Sequence, residues 1–119
     1  MKVLIIEDDK DINNLMKEEL ENYGIDAIVA KTGVAAYKIL YKTKEEKEFD
    51  YIIVDIRLPD ENGVEIIKLI RQVFKSKVIV YTAFDDYKDR CEWDYFIEKG
   101  LGIEPVTSII INDFLSKYS

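Results

Sequence analysis

The chain has 119 residues, of which 48% are hydrophobic and 34% charged, and its 17 basic and 24 acidic residues give a net charge of −7. This balance predicts one folded domain, excludes a disordered chain, and argues against direct nucleic-acid binding because a phosphate backbone would repel it. With no histidine and only Cys91, the chain cannot form a Ser-His-Asp triad, a histidine-ligated zinc site or an internal disulfide.

Apolar runs with strand character alternate with helical periodicity along the chain. The predicted strands are rich in Ile and Val and cover residues 3–6, 27–30, 51–54, 78–81 and 95–97. The predicted helical faces comprise Ile12, Leu15, Met16 and Leu20; Val34, Tyr37 and Leu40; and Val64, Ile67, Ile70, the stem of Arg71 and Phe74. Gly24 is expected to close the first helix and Pro105 to open the last, whereas residues 85–93 predict a weak helix.

Five strands separated by helices predict a parallel sheet covered on both faces, because several strands are continuously apolar. The fold class is therefore α/β, a doubly wound (βα)5 three-layer sandwich formed by one domain over residues 1–119. The charge run at 42–48 is interpreted as a solvated helix end and loop. The start, MKVLIIEDD, does not resemble a signal peptide, and no stretch approaches ~20 apolar residues, so we expect a cytoplasmic protein without a membrane span.

Polar residues follow four of the predicted strands, at the edge where ligands bind in open parallel sheets. They are Glu7, Asp8, Asp9, Asp55, Thr82 and Lys99. Most have ordinary structural explanations: Asp9 can cap a helix, Thr82 is a common strand residue, and Lys99 can be a surface cation. Asp55 is harder to explain in this way, because it follows a run that is apolar enough to be buried on both faces.

Carboxylates gathered at one edge repel each other, and a hard divalent cation would relieve that repulsion. An all-oxygen set with few carboxylates suits Mg²⁺, which bridges to phosphate. An aspartate held beside Mg²⁺, with a hydroxyl and an ammonium nearby, is equipped to attack phosphorus. The residues therefore predict formation of an aspartyl phosphate.

The same segments resemble the response-regulator receiver domains of two-component signalling, the CheY-like superfamily. The matching segments are VLIIEDD with the following Asp11-Ile12, VDIRLP with the following Asn62-Gly63, VYTA at 80–83 and DYFIEK at 94–99. The resemblance runs along essentially the whole chain in order. It implies the flavodoxin-like strand order 2-1-3-4-5.

The resemblance implies a role for each matching residue. Asp55 would accept a phosphoryl group from a kinase phosphohistidine, and the domain would catalyse its own phosphorylation and slow dephosphorylation. Asp8 and Asp55 would bind Mg²⁺ directly, Glu7 largely through water, and Arg57 through its backbone carbonyl; Mn²⁺ could substitute. Thr82 and Lys99 would contact the phosphoryl group. Phe96 lies at the family's switch aromatic position, although an ordinary packing role explains it equally well.

The resemblance also implies partners. These are a sensor histidine kinase or phosphotransfer protein and an unidentified downstream target that reads the surface of the fourth helix, fifth strand and fifth helix. Apolar residues spread over more of the last helix than one core stripe needs, which suggests a homodimer unless a thin fourth helix leaves them to be buried internally. They are Val106, Ile109, Ile110, Ile111, Phe114, Leu115 and Tyr118.

The chain departs from the family in two places. From Thr82 to Lys99 is only 17 positions, so the fourth helix should be shortened, and Gly100 stands where the family has a proline, so this loop should lack a cis-proline and be more mobile. Both departures fall on the expected output surface. Arg57 and Phe84 are expected over the mouth of the site, where they could obstruct the attacking water.

Three alternatives stay open at this stage. Asp9-Lys10-Asp11 superficially matches an aspartate-nucleophile phosphatase of the haloacid dehalogenase type, although the Gly-Thr that should follow is absent. A mononucleotide binder of flavodoxin type is disfavoured, because an acidic loop would repel its phosphate. A phosphorylation-independent interaction module of the same fold is the remaining alternative.

Overall fold

The computed structural model describes residues 1–43, 48–83 and 87–118 of the chain. Strands and helices alternate along it, with two short 3₁₀ turns at Lys88–Arg90 and Lys99–Leu101. The elements are β1 (Lys2–Ile6), α1 (Lys10–Asn22), β2 (Asp26–Ala30), α2 (Gly33–Thr43), β3 (Tyr51–Val54), α3 (Gly63–Val73), β4 (Lys77–Thr82), β5 (Tyr95–Glu98) and α4 (Glu104–Tyr118). All five predicted strands are confirmed to within one residue at either end.

The five strands form one parallel sheet in the order β2-β1-β3-β4-β5. Ile6 pairs with both Ala30 and Val54, and Val54 pairs in turn with Val80. This register brings the carboxyl ends of the three central strands to the same edge of the sheet. The predicted doubly wound fold and strand order are therefore confirmed.

Alternating residues of each strand fill two separate cores, one on each face of the sheet. On one face Leu4, Ile6 and Val54 pack with residues of α2 and α3, and on the other Val3 and Ile5 pack with residues of α1 and α4. Because both faces are covered, the central strands need apolar side chains at every position, which explains their continuous apolar runs.

Local sequence signals set the helix boundaries. Asp9 precedes α1, and its carboxylate accepts hydrogen bonds from the backbone N–H groups of Asp11 and Ile12 at 3.0 and 3.2 Å, which confirms its predicted capping role. Gly24 follows α1 with φ +82°, a conformation that favours glycine.

Three sequence predictions about the helices were wrong. Leu15 and Val34 were assigned to buried faces, but each is 55% exposed, because the sheet covers a narrower stripe of α1 and α2 than periodicity suggested. In place of a weak helix over 85–93, the described part, 87–93, holds only the 3₁₀ turn Lys88–Arg90, where mostly polar residues offer little apolar surface to bury. The predicted shortening of the fourth helix is thus confirmed, and the described residues form four α-helices.

The last helix uses most of its apolar residues internally. Val106, Ile110 and Ile111 are buried against the sheet, Ile109 and Phe114 pack around them, and Leu115 is exposed, whereas the side chain of Tyr118 lies outside the described part of the chain. This favours the internal explanation for the broad apolar surface. Within the described ranges, no helix has the length and apolar character needed to cross a membrane.

Candidate functional site

Four charged side chains converge where β1, β3 and β5 end. Glu7 and Asp8 directly follow β1, Asp55 directly follows β3, and Lys99 directly follows β5. The ammonium Nζ of Lys99 lies 2.6 Å from Glu7 Oε1 and 2.8 Å from Asp55 Oδ2. One cation therefore bridges two carboxylates that come from neighbouring strands.

The three carboxylates also lie close to one another. Glu7, Asp8 and Asp55 each offer an oxygen, and these atoms lie within 4.8 Å of one another. Glu7 and Asp55 are buried, whereas Asp8 is exposed. Three carboxylates and the ammonium of Lys99 together carry an excess of negative charge, and the all-oxygen donor set is the type that Mg²⁺ prefers. The residues present thus fit a divalent cation.

Burial and charge shift the proton affinities in this cluster. Burial raises the pKa of Glu7 to about 7, opposed by its hydrogen bond with Lys99 and reinforced by the nearby charge of Asp55. For Lys99, burial lowers the pKa, but its contacts with Asp55 and Glu7 outweigh that effect and raise the pKa above the ordinary value. The lysine therefore stays charged while the carboxylates compete for it.

Backbone and side-chain hydrogen bonds hold the end of β1 in place. The Asn13 side-chain amide donates to the carbonyl of Glu7 at 3.0 Å from inside the protein, and the Asp9 N–H donates to the Glu7 carboxylate at 3.1 Å. Sequence reasoning missed Asn13. The available signal was a polar side chain on the buried stripe of α1, since a buried amide needs hydrogen-bond partners.

The loop after β3 is tied to its neighbours. The Asp55 N–H donates to the Ile6 carbonyl at 2.9 Å, and the Arg57 N–H lies 3.3 Å from Asp55 Oδ1. Asp60 reaches across to α2, where it accepts hydrogen bonds from the backbone N–H groups of Gly33 and Val34 at 2.7 and 3.0 Å. Sequence reasoning also missed Asp60, because its partners lie 26 and 27 positions away.

The other predicted site residues occupy different surroundings. Thr82 is fully buried as the last residue of β4, opposite Glu98. Phe96 packs outside the carboxylate cluster, with its ring 5.8 Å from that of Trp93 and beneath the Lys88 ammonium. Arg57 is exposed beside Asp55, and Phe84 lies outside the described residues. The structure therefore joins Glu7, Asp8, Asp55 and Lys99 directly and keeps Phe96 apart.

Comparison with known proteins identifies the family. A family model described as the response regulator receiver domain matches residues 3–110. The transcriptional regulatory protein CpxR of Escherichia coli K12 is 34% identical over 89 residues, which make up 75% of this chain and 36% of CpxR. CpxR of Klebsiella pneumoniae is 32% identical over the same shares. The chain matches only about a third of the length of these curated relatives.

Solved structures show the same architecture. The response regulator TrrA of Thermotoga maritima, in complex with Mg²⁺-BeF, is 26% identical with a TM-score of 0.77, covering 92% of this chain and 95% of TrrA. The Francisella response regulator 1452 receiver domain is 27% identical with a TM-score of 0.78, covering 99% and 98%. A two-component response regulator of Clostridium difficile has a TM-score of 0.82 at 24% identity, covering 100% and 99%, which is a likeness of fold.

Proposed function

The chain belongs to the family of response regulator receiver domains, and we propose that it works as one by accepting a phosphoryl group on Asp55. The observation that carries this proposal is the cluster at the strand ends, where Lys99 pairs with both Asp55 and Glu7 and three carboxylates share a small space. A buried carboxylate with one cation beside it and negative charge left over is suited to accept both a divalent cation and a phosphoryl group.

In the proposed reaction, a carboxylate oxygen of Asp55 attacks the phosphorus of a partner's phosphohistidine. The new P–O bond forms as the P–N bond breaks, and the leaving imidazole nitrogen keeps the electron pair and is protonated. Lys99, already 2.8 Å from Asp55, would neutralise the phosphoryl oxygens, and the Thr82 hydroxyl would donate a hydrogen bond to them. Hydrolysis of the acyl phosphate by water then restores Asp55 slowly.

The metal would be held by this chain's own oxygens. Asp8 and Asp55 would bind it directly, Glu7 largely through water, and Arg57 through its backbone carbonyl; we propose Mg²⁺, for which Mn²⁺ could substitute. When bound, Mg²⁺ supplies positive charge beside the oxygens of the transferring phosphoryl group. The three carboxylates lie close together, with Lys99 paired to Glu7 and Asp55, so this charge would also relieve their repulsion.

Phosphorylation adds up to two negative charges beside Glu7 and Asp8, which the site tolerates only if Lys99 and Thr82 are drawn towards them. We propose that this movement reaches Phe96 and changes the surface formed by the turn Lys88–Arg90, β5 and α4. A downstream protein would read that surface, and a sensor histidine kinase or phosphotransfer protein would supply the phosphoryl group in the cytoplasm.

Pairing of two copies through α4 would have to use its exposed side, which includes Leu115.

The test is intact-protein mass spectrometry after incubation with acetyl phosphate and Mg²⁺. The expected result is a gain of one phosphoryl group that disappears with a chelator and in Asp55→Asn. A matched control is Asp113→Asn, which removes a carboxylate that is bonded to Tyr51 outside the site and should leave the gain unchanged. If neither acetyl phosphate nor a panel of histidine kinases modifies Asp55, the proposal fails, and a phosphorylation-independent interaction module becomes the better explanation.

A further inference from the structure

The turn after β5 carries Lys99 but has few anchors of its own. Lys99–Leu101 form a 3₁₀ turn, and the Gly102 N–H donates to the Lys99 carbonyl at 3.1 Å. Gly100 and Gly102 contribute no side chain, and a β-carbon added at either position would meet nothing within 4 Å. Gly102 has φ +78°, a conformation that favours glycine. Because glycine backbones are intrinsically free, contacts from other elements must restrain this turn.

Tyr81, on β4, supplies such a contact. Its hydroxyl donates to the Gly102 carbonyl at 2.8 Å and lies 3.5 Å from the Lys99 carbonyl. The ring is 2% exposed within the core shared with Val106 and Ile110, so the hydroxyl is presented from a side chain with little freedom to move. Tyr81 therefore fastens both ends of the glycine-containing turn to the central sheet.

The position of this turn decides whether Lys99 can reach its partners. In the strand order, β4 lies between β5 and β3, so the Lys99 and Asp55 side chains must together span the end of β4, a separation of two strand spacings, about 9 to 10 Å. On its way it passes Tyr81, whose ring centre lies 5.7 Å from the Lys99 ammonium. Because Lys99 pairs with Asp55 and Glu7 at 2.8 and 2.6 Å, a shift of its backbone by an ångström or two would lengthen both contacts.

We infer that Tyr81 is a positioning residue for Lys99: its hydroxyl holds the Lys99–Gly102 turn at the place from which the ammonium spans β4 to Asp55 and Glu7. The role in phosphoryl transfer rests on the function proposed above, whereas the role in holding the ion pair does not. The Tyr81 hydroxyl contacts the Lys99 and Gly102 carbonyls, so Tyr81 acts on the site through Lys99.

The chain contains a matched control in Tyr51. This tyrosine is also 2% exposed, belongs to the same core and donates a hydrogen bond of 2.8 Å, but its acceptor is Asp113 at the opposite edge of the sheet. Tyr81→Phe and Tyr51→Phe thus each remove one hydroxyl from a buried ring without opening a cavity. Gly102 is exposed, so water can solvate its carbonyl in Tyr81→Phe, and the variant should remain folded.

The first measurement uses the full chain without metal or phosphoryl donor, followed by NMR. In Tyr81→Phe we expect the Gly102 amide hydrogen and the Lys99 ammonium hydrogens to exchange with water about fivefold faster, as the loss of one ordinary hydrogen bond would allow. In Tyr51→Phe both should exchange at the wild-type rate. If the two variants change these signals equally, or Tyr81→Phe leaves them unchanged, the inference is overturned.

The second measurement is the rate of phosphoryl uptake from acetyl phosphate with saturating Mg²⁺. Tyr81→Phe should be slowed about fivefold and Tyr51→Phe should match the wild type; equal rates in all three proteins would remove Tyr81 from the reaction. If the wild type takes up no phosphoryl group from acetyl phosphate or from the panel of histidine kinases, the proposed function fails by itself. The exchange measurement still decides whether Tyr81 holds the ion pair.

Discussion

Carboxylates have opposite surroundings at the two ends of the parallel strands, which form two edges of the sheet. At the edge where the strands begin, Asp113 accepts a hydrogen bond from the Tyr51 hydroxyl and pairs with Lys117 at 3.4 Å, and the Tyr51 contact, more than Lys117, holds the pKa of Asp113 below its ordinary value. At the edge where the strands end, burial raises the pKa of Glu7 to about 7 while Glu7 and Asp55 share Lys99. At the first edge the carboxylate of Asp113 has a hydrogen-bond donor and a lysine as partners, whereas at the second edge negative charge is in excess.

This difference indicates where function lies, because a protein gains no stability from crowding like charges. A depression at the first edge is lined by three acidic residues, Glu48, Asp50 and Asp113, and three lysines, Lys75, Lys77 and Lys117. At the other edge, the carboxylate oxygens of Glu7, Asp8 and Asp55 lie within 4.8 Å of one another, and Lys99 pairs with Glu7 and Asp55. The proposed cation and phosphoryl group would complete this arrangement.

The largest change in stability is expected from adding a side chain at Gly63, at the edge where the strands end. A β-carbon in Gly63→Ala would lie 2.4 Å from the Asp55 carbonyl oxygen and 2.9 Å from Ile56 Cα, and backbone atoms cannot rotate away as a side chain can. We expect a loss of about 3 kcal/mol in the free energy of unfolding together with slower phosphoryl uptake. Denaturant unfolding and the mass assay measure the two effects.

Gly24 provides the matched glycine near the other edge, just before β2. There an added β-carbon meets nothing within 4 Å, but φ is +82°. Gly24→Ala should therefore cost about 1 to 2 kcal/mol through backbone strain alone and leave uptake unchanged. Equal loss of uptake in the two variants would show that general destabilisation, and not displacement of Asp55, slows the reaction.

Mg²⁺ should stabilise the protein through the functional edge alone. A ligand at 100 times its Kd raises the free energy of unfolding by about 2.7 kcal/mol, measurable as a rise in Tm. We expect this rise in the wild type and in Asp113→Asn and its loss in Asp55→Asn. A rise that persists in Asp55→Asn would place the metal elsewhere.

Without metal, replacing a single carboxylate should change the free energy of unfolding in opposite directions at the two edges. Asp8→Asn removes one of three crowded like charges and should raise the free energy of unfolding by about 1 kcal/mol, as expected for charges about 5 Å apart near water. Asp113→Asn weakens the Tyr51 contact and removes the Lys117 pair, so it should lower stability by about 1 kcal/mol. Chemical denaturation in the presence of a chelator measures both changes in the free energy of unfolding. If both replacements stabilise the protein, the proposed difference between the two edges is wrong.

The smallest change is expected on replacing Asp60, which is exposed. Hydrogen bonds from the Gly33 and Val34 N–H groups hold the pKa of Asp60 below its ordinary value of 3.8. The contribution of ionised Asp60 to stability is therefore fully present above pH 3.8 and is lost as the pH falls through the lowered pKa of Asp60 in the folded protein. Asp60→Ala should speed amide exchange at Gly33 and Val34 severalfold near neutral pH, whereas Asp9→Ala should affect the start of α1 instead.

The sequence was sufficient for the features that local patterns encode. Continuous apolar runs located all five strands, and the doubly wound arrangement followed because only a sheet covered on both faces needs such runs. It also named Glu7, Asp8, Asp55 and Lys99 as neighbours, since parallel strands present their carboxyl ends at one edge. The short, mostly polar segment likewise indicated a shortened fourth helix, of which the described residues 87–93 hold a 3₁₀ turn.

Only the tertiary structure decided which long-range partners meet. Periodicity placed Leu15 and Val34 on buried faces, but the width of the sheet beneath each helix left them in solvent. The contacts made by Asp60 and Tyr81 join residues about 20 to 27 positions apart, so no local pattern could predict them. A sequence specifies which side chains need a partner, such as a buried hydroxyl, but the packing of strands and turns determines which atom satisfies that need.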